Sequence, residues 1–168
     1  MQLSKLFRKR CLRISASKVP TGFIPIKEIT NAVVFVDGCM DDCESVLKDI
    51  DAFFSVKGIK YKAFALNLAG NGYSGELAQK LYPHDLNWFG RIKTSRKTPK
   101  IKYDEDLFIS LLESPECFAA LQAAVSSNAR FKLGRFRDST FDVVISGGEG
   151  AQQAAFKTIS NLLTKVSR

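Results

Sequence analysis

Apolar positions along this chain follow two rhythms, short unbroken runs and stretches with a helical period, and the two alternate. The first run, Ala32 to Val36, is continuous and rich in β-branched residues, the pattern of a strand buried on both faces. Asp41 and Glu44 then read as an acidic N-cap and its N3 partner. Val46, Leu47, Ile50, Phe53 and Phe54 recur at helical spacing up to Gly58, a C-cap candidate. With Tyr61 to Leu68 as a second strand, the stretch predicts a βαβ unit.

A second unit follows an irregular middle. Leu107 to Leu112 reads as a buried strand, and Ser114-Pro115 as an N-cap and first-turn proline opening a helix with Phe118, Leu121 and Val125 inward. Residues 130 to 136 read as a basic strand with Phe131 and Leu133 facing in. Gly134 shifts the phase there so that Phe136 rather than Arg135 faces the core, which predicts a bulge or bend. Phe141 to Ile145 is a further strand, and Gln152 to Val166 a closing helix with Ala155, Ile159, Leu162, Leu163 and Val166 on one face. Strands alternating with helices predict an α/β fold, a three-layer α/β/α domain of Rossmann-like or flavodoxin-like type. Its sheet should be mainly parallel, with about five strands.

The N-terminal end has a different character. Leu3, Leu6, Phe7, Cys11 and Ile14 recur at helical spacing among basic residues, so residues 1–18 read as a basic amphipathic helix. Pro20, Gly22 and Pro25 make residues 19–30 a connector, and residues 31–168 form the single domain. A chain of 168 residues, 45% of them hydrophobic, has room for one such core.

Charge sharpens this division. Residues 1 to 18 hold Lys5, Arg8, Lys9, Arg10, Arg13 and Lys18 with no acid, and residues 91 to 102 hold Arg91, Lys93, Arg96, Lys97, Lys100 and Lys102 with none. Together these blocks exceed the net charge of +8, so the rest of the chain is net acidic. An anionic partner (nucleotide, RNA or membrane surface) is therefore expected only where the blocks lie. Four cysteines at 11, 39, 43 and 117 do not make a disulfide framework. No segment approaches the roughly 20 apolar residues of a membrane span, and no signal peptide is visible. The expectation is a cytoplasmic protein, at most peripheral to the inner membrane.

Several places could carry chemistry. Gly70, Gly72 and Gly75 give a GxGxxG spacing after a predicted strand and before a possible helix at Glu76 to Leu81, the context of the dinucleotide fingerprint. However, the strand is the second rather than the first, and no acidic strand end follows about 20 residues later. A Gly/Asn-rich turn explains the same residues. Ser146 to Gly150, with Gly147 and Gly148, joins a strand to a helix whose N-terminus could seat a phosphate, although Glu149 opposes an anion. Asp37 ends the first strand, where open parallel sheets place ligand groups. With Asp41 and Asp42 it could hold a cation, but helix capping is the favoured role of the pair.

The segment Asp85-Leu86-Asn87-Trp88-Phe89-Gly90 holds the only tryptophan, beside the only histidine, His84. Asp85, Asn87 and Trp88 are candidate ligand contacts. Trp88 and Phe89 could stack a base while Arg91, Lys93, Arg96 and Lys97 pair phosphates; the alternative is that the aromatics anchor a loop. Arg8, Lys9 and Arg10 of the basic helix are separate candidates for contact with an anion or nucleic acid. Cys39 and Cys43 lack the second ligand pair of a zinc site, so no metal is predicted. No cofactor is specified, and no nucleophile, base and charge stabiliser assemble into a catalytic set.

VVFVDG, DLNWFGR (Asp85 to Arg91), DLFISL (Asp106 to Leu111), ARFKLGRF (Ala129 to Phe136) and FDVVIS (Phe141 to Ser146) together give a resemblance. They resemble a family of small bacterial proteins known only as a domain of unknown function, over most of the chain. The resemblance implies a cytoplasmic α/β protein and carries over no catalytic residue. Asp106 to Phe136 also resembles part of the acceptor-side domain of heptosyltransferase-like glycosyltransferases, which implies at most a degenerate glycosyltransferase-like domain. The function expected from the residues is binding of a nucleotide or phosphorylated metabolite by a non-catalytic or accessory protein. The alternative is a basic interaction protein contacting nucleic acid, ribosome or an anionic membrane surface.

Overall fold

Six strands form one sheet in the order β3-β2-β1-β4-β5-β6, and every paired neighbour is parallel. They are β1 (Asn31–Asp37), β2 (Lys60–Leu66), β3 (Gln79–Leu81), β4 (Leu107–Ser110), β5 (Phe131–Gly134) and β6 (Val143–Val144). Among the described residues the long helices are α1 (Cys43–Lys57), α2 (Phe118–Ser126) and α3 (Gln152–Lys165). The computed structural model describes residues 10, 12, 16–17, 19–69, 72–87, 90–93, 104–113, 118–145 and 151–165.

Side-chain alternation divides the sheet into two faces. Ala32, Val34 and Val36 of β1, with Leu107, Ile109, Phe131 and Leu133, pack against Leu47, Ile50 and Phe54 of α1 and Phe156 and Ile159 of α3. Val33 and Phe35 point the other way, with Phe64 and Phe108, towards α2. Phe35 stacks on Phe64 at 5.1 Å and on Phe108 at 5.5 Å between ring centres. These rings tie the three central strands together on the α2 face. Both faces are covered, which is why the central strands read as continuous apolar runs.

The strand order is the doubly wound, Rossmann-type one rather than the flavodoxin-type order. Six strands replace the expected five because Gln79–Leu81, placed by sequence in a possible helix, is an edge strand on β2. Two physical reasons favour the strand. Pro83 biases the residue before it away from helical backbone, and a helix of so few residues is marginal in isolation. The crossover from β2 to β3 spans residues 67–78, close to the shortest, about a dozen residues, that a parallel connection needs.

Helix α1 ends as expected, at Gly58 with φ 67°. Its start differs: the N-cap is Asp42 rather than Asp41, and its carboxylate makes no capping bond within α1. That carboxylate accepts instead from the Gln153 N–H of α3 at 2.9 Å. The N-termini of α1 and α3 lie side by side, so one acid supplies the acceptor that the other helix lacks.

The basic strand also departs from its predicted pattern. Lys132 is buried, its Nζ donating to the carbonyls of Ala124 (2.7 Å) and Ser127 (2.8 Å) at the end of α2. The ammonium thus caps that helix's C-terminus. Gly134 is the last residue of β5, and a Cβ there would lie 2.5 Å from the Phe141 ring, so the close approach of that ring requires glycine. Ile24, Ile26 and Ile29 of the 19–30 segment are buried in the α1/α3 cluster. Of the helix predicted over residues 1–18, Arg10 and Leu12 are helical, Arg10 exposed and Leu12 packed against the α2-side cluster, whereas Ala16 and Ser17 are not helical, the Ser17 N–H donating to the Val125 carbonyl at 2.9 Å; its other residues lie outside the described ones.

Candidate ligand-binding crevice

In a doubly wound sheet the chain leaves β1 and β4 in opposite directions, opening a crevice beyond their carboxyl ends. Here the crevice has a volume of about 410 Å³, within the common range for small-molecule sites. Its wall is largely apolar, with Met40, Leu66, Leu68, Leu111 and Leu112; its polar groups come from Asp37, Glu113, Arg135 and Gln152.

Each polar group is delivered by the end of an element. Asp37 closes β1, and its carboxylate accepts from the Cys39 N–H at 2.9 Å, which makes the turn towards α1. Gln152 opens α3 and is almost fully buried. Its Oε1 accepts from the Asp37 N–H at 2.7 Å and its Nε2 donates to the Asp37 carbonyl at 2.9 Å. Arg135 follows β5 with its side chain only 2% exposed, donating to the Leu111 carbonyl at 3.2 Å and paired with the Glu113 carboxylate. The Glu113 side chain is 46% exposed.

The glycine turns have a structural use. A Cβ on Gly38 would lie 1.9 Å from Asn67 Oδ1, and one on Gly72 2.4 Å from the same atom. Buried Asn67 therefore fills the space between the two turns, donating from Nδ2 to the Tyr73 carbonyl at 2.8 Å. The residues after Gly75 form bends and then β3, so the helix that a dinucleotide fingerprint needs is not there. Gly70, Gly147 and Gly148 lie outside the described residues.

Asp37, Asp41 and Asp42 do not converge on a cation site. Among the described residues no group of three or more His, Cys, Asp or Glu side chains could hold a metal ion. Cys39 and Cys43 are free thiols. Burial pushes the Cys43 thiol up to about 12, with the charges of Asp42, Asp37 and Glu44 adding to the effect.

Asp85 and Asn87 belong to a separate, self-closed loop that does not line the crevice. Asp85 Oδ2 accepts from the Tyr82 N–H at 2.9 Å, and Asn87 exchanges bonds with Arg91 through its main-chain N–H (2.8 Å) and side-chain Oδ1 (3.0 Å). Gly90 has φ 77°, which favours glycine. Leu86 and Ile92 form a β-bridge and pack on the α2-side core. His84 is exposed and stacks on Tyr82 at 5.4 Å. Arg91 and Lys93 are exposed, and Lys93 Nζ donates to the His84 carbonyl at 2.7 Å. Trp88, Arg96, Lys97, Arg8 and Lys9 lie outside the described residues.

A model of a family of unknown function (DUF6913) matches residues 3–166. The chain belongs to that family. No curated protein and no solved structure matches it. The partial likeness to heptosyltransferase-like enzymes finds no support in these comparisons.

Three crevice residues, Glu113, Arg135 and Gln152, were not singled out by sequence reasoning. Each follows or opens an element at the carboxyl edge of the sheet, and that position is the signal by which it could have been found. The phase shift expected at Gly134 turns Phe136 rather than Arg135 towards the core; the strand instead ends at Gly134 and both residues are buried.

Proposed function

We propose that this protein binds a small anionic metabolite, a nucleotide or phosphorylated compound, in the crevice between the ends of β1 and β4. The observation that carries the reading is Arg135, a guanidinium almost fully withdrawn from solvent in the wall of a mostly apolar crevice whose other polar groups are Asp37, Glu113 and Gln152. Arginine presents a planar fork of donors matched to carboxylate and phosphate, and in a low-dielectric wall that attraction is less screened than at a surface. The apolar wall suits a base or other flat body, and the polar groups fix its orientation.

The role we propose is recognition: Gln152 is taken up by the Asp37 main chain and Arg135 by Glu113, which fixes the polar groups of the crevice in place.

The test is a thermal-shift survey of nucleotides, sugar phosphates and carboxylic acids at low ionic strength. A ligand present at 100 times its Kd stabilises the fold by about 2.7 kcal/mol, which raises the melting temperature by several degrees. At least one nucleotide or phosphorylated compound is expected to do so in the wild-type protein and not in Arg135→Gln. A flat response across the survey overturns the reading.

A further inference from the structure

Two features of the crevice would attract an anion, the Arg135 guanidinium and the N-terminus of α3, and the protein's own carboxylates already meet both. The two carboxylates are held differently. Asp42 is fixed, accepting from the Gln153 N–H at 2.9 Å and lying 3.4 Å from Gln152 Nε2, in a network that also grips the main chain of Asp37. Among the described residues Glu113 pairs with Arg135, on a side chain 46% exposed.

A guanidinium as buried as Arg135 favours a negative group beside it whether or not a ligand is bound, because breaking a buried ion pair is costly. Glu113 can leave at low cost, since its carboxylate is already partly hydrated and would turn into water. Asp42 cannot leave without freeing a helix-terminal N–H. A second anionic group placed at the N-terminus of α3 would also face the charge of Asp42.

We infer that Glu113 is a built-in stand-in for the ligand's anion, displaced from Arg135 on binding, and that the ligand carries one anionic group, as a nucleoside monophosphate does, rather than a pyrophosphate. This rests on the proposed binding role and narrows it. The apolar wall of Met40, Leu66, Leu68, Leu111 and Leu112 takes the body of the molecule, and the Gln153 N–H at the start of α3, a helix-terminal donor that a second phosphate would seek, is already met by Asp42. Binding thereby pushes Glu113 outward, changing the charge at the crevice mouth.

The experiment is calorimetric titration of adenosine monophosphate into wild type, Glu113→Gln, Glu113→Ala and Arg135→Gln, each checked for native circular dichroism. A parallel titration uses a dinucleotide such as NAD. Both Glu113 variants are expected to bind the monophosphate about tenfold or more tightly than wild type, as removal of about 1.4 kcal/mol of competition would give. Arg135→Gln should lose binding, and the dinucleotide should bind more weakly than the monophosphate in every variant. In the wild type alone, NMR signals of the Arg135 guanidinium and the Glu113 carboxyl should both move at saturation. If wild type binds the monophosphate and neither Glu113 variant gains, the stand-in role is wrong while the binding role survives. If neither wild type nor the Glu113 variants bind it, the stand-in role falls with the monophosphate, and the metabolite survey decides the broader reading.

Discussion

The side-chain amide of Gln152 grips the main chain of Asp37 from both directions, accepting from its N–H at 2.7 Å and donating to its carbonyl at 2.9 Å. The first residue of α3 thus completes the hydrogen bonding of the last residue of β1, 115 positions earlier in the chain. This joins the floor of the crevice to the closing helix. Gln152→Leu should cost about 1–3 kcal/mol, because a main-chain donor and acceptor lose the nearly buried side chain that serves both. Urea unfolding checks this, and a loss under 0.5 kcal/mol, on the order of an ordinary surface change, would show that the clamp is incidental.

Asn67 and the glycines around it form a second tight contact. Gly38→Ala and Gly72→Ala should each destabilise the fold by about 1–3 kcal/mol through overpacking. Combining Gly38→Ala with Asn67→Ala should cost less than the sum of the single changes, since the shortened side chain vacates the space that the new methyl needs. Strict additivity in this double-mutant cycle would contradict the packing account of Gly38.

Much of this architecture was legible because buried parallel strands and amphipathic helices write simple patterns. Val34 and Phe35 lie on opposite faces yet both are apolar, so β1 announces burial on both sides. The reading failed where pairing rather than periodicity decides. Gln79–Leu81 is a strand because β2 offers it an edge, and Lys132 is buried because the carbonyls ending α2 accept its ammonium. The crevice was visible only through Asp37. Glu113, Arg135 and Gln152 come from three distant parts of the chain, and their meeting is a consequence of strand order.

The capping role of Lys132 has a direct consequence. Burial holds its ammonium below the usual lysine range, but the two carbonyls still receive its protons. Lys132→Met keeps the apolar stem and removes the donors, and a loss of about 1–3 kcal/mol in chemical unfolding is expected. A variant as stable as wild type would mean that water serves those carbonyls equally well.

Acid should loosen the junction between β1 and β4. Burial, the largest single influence on Asp106, pushes its carboxyl upward. Hydrogen bonds from the Thr30 hydroxyl (2.7 Å) and N–H (2.9 Å) and the Asn31 N–H (3.3 Å), with Arg130 nearby, outweigh it, so the net shift from 3.8 is downward. A depressed carboxyl contributes stability above its unfolded value and loses it as pH falls through the folded one. The stability gap between wild type and Asp106→Asn should therefore be full near neutrality and shrink below about pH 4. A gap that widens in acid would reverse the sign of this argument.

Cys43, with its thiol pushed up to about 12 by burial and neighbouring acids, holds almost no thiolate at pH 8. Alkylation of the native protein at that pH, mapped by mass spectrometry, should leave Cys43 unmodified until denaturant is added. Rapid native labelling would place it nearer to solvent than its burial in the core beneath α1 allows.

The central claim is that an anion sits at the switch-point crevice. Its most direct measurement is the map of backbone amide shifts in an NMR titration with a nucleoside monophosphate. The account predicts a single contiguous set of perturbed amides at Asp37, Cys39, Leu66, Leu111, Glu113, Arg135 and Gln152. Perturbations confined to the basic stretches at residues 1–18 and 91–102, with the crevice amides unmoved, would contradict it.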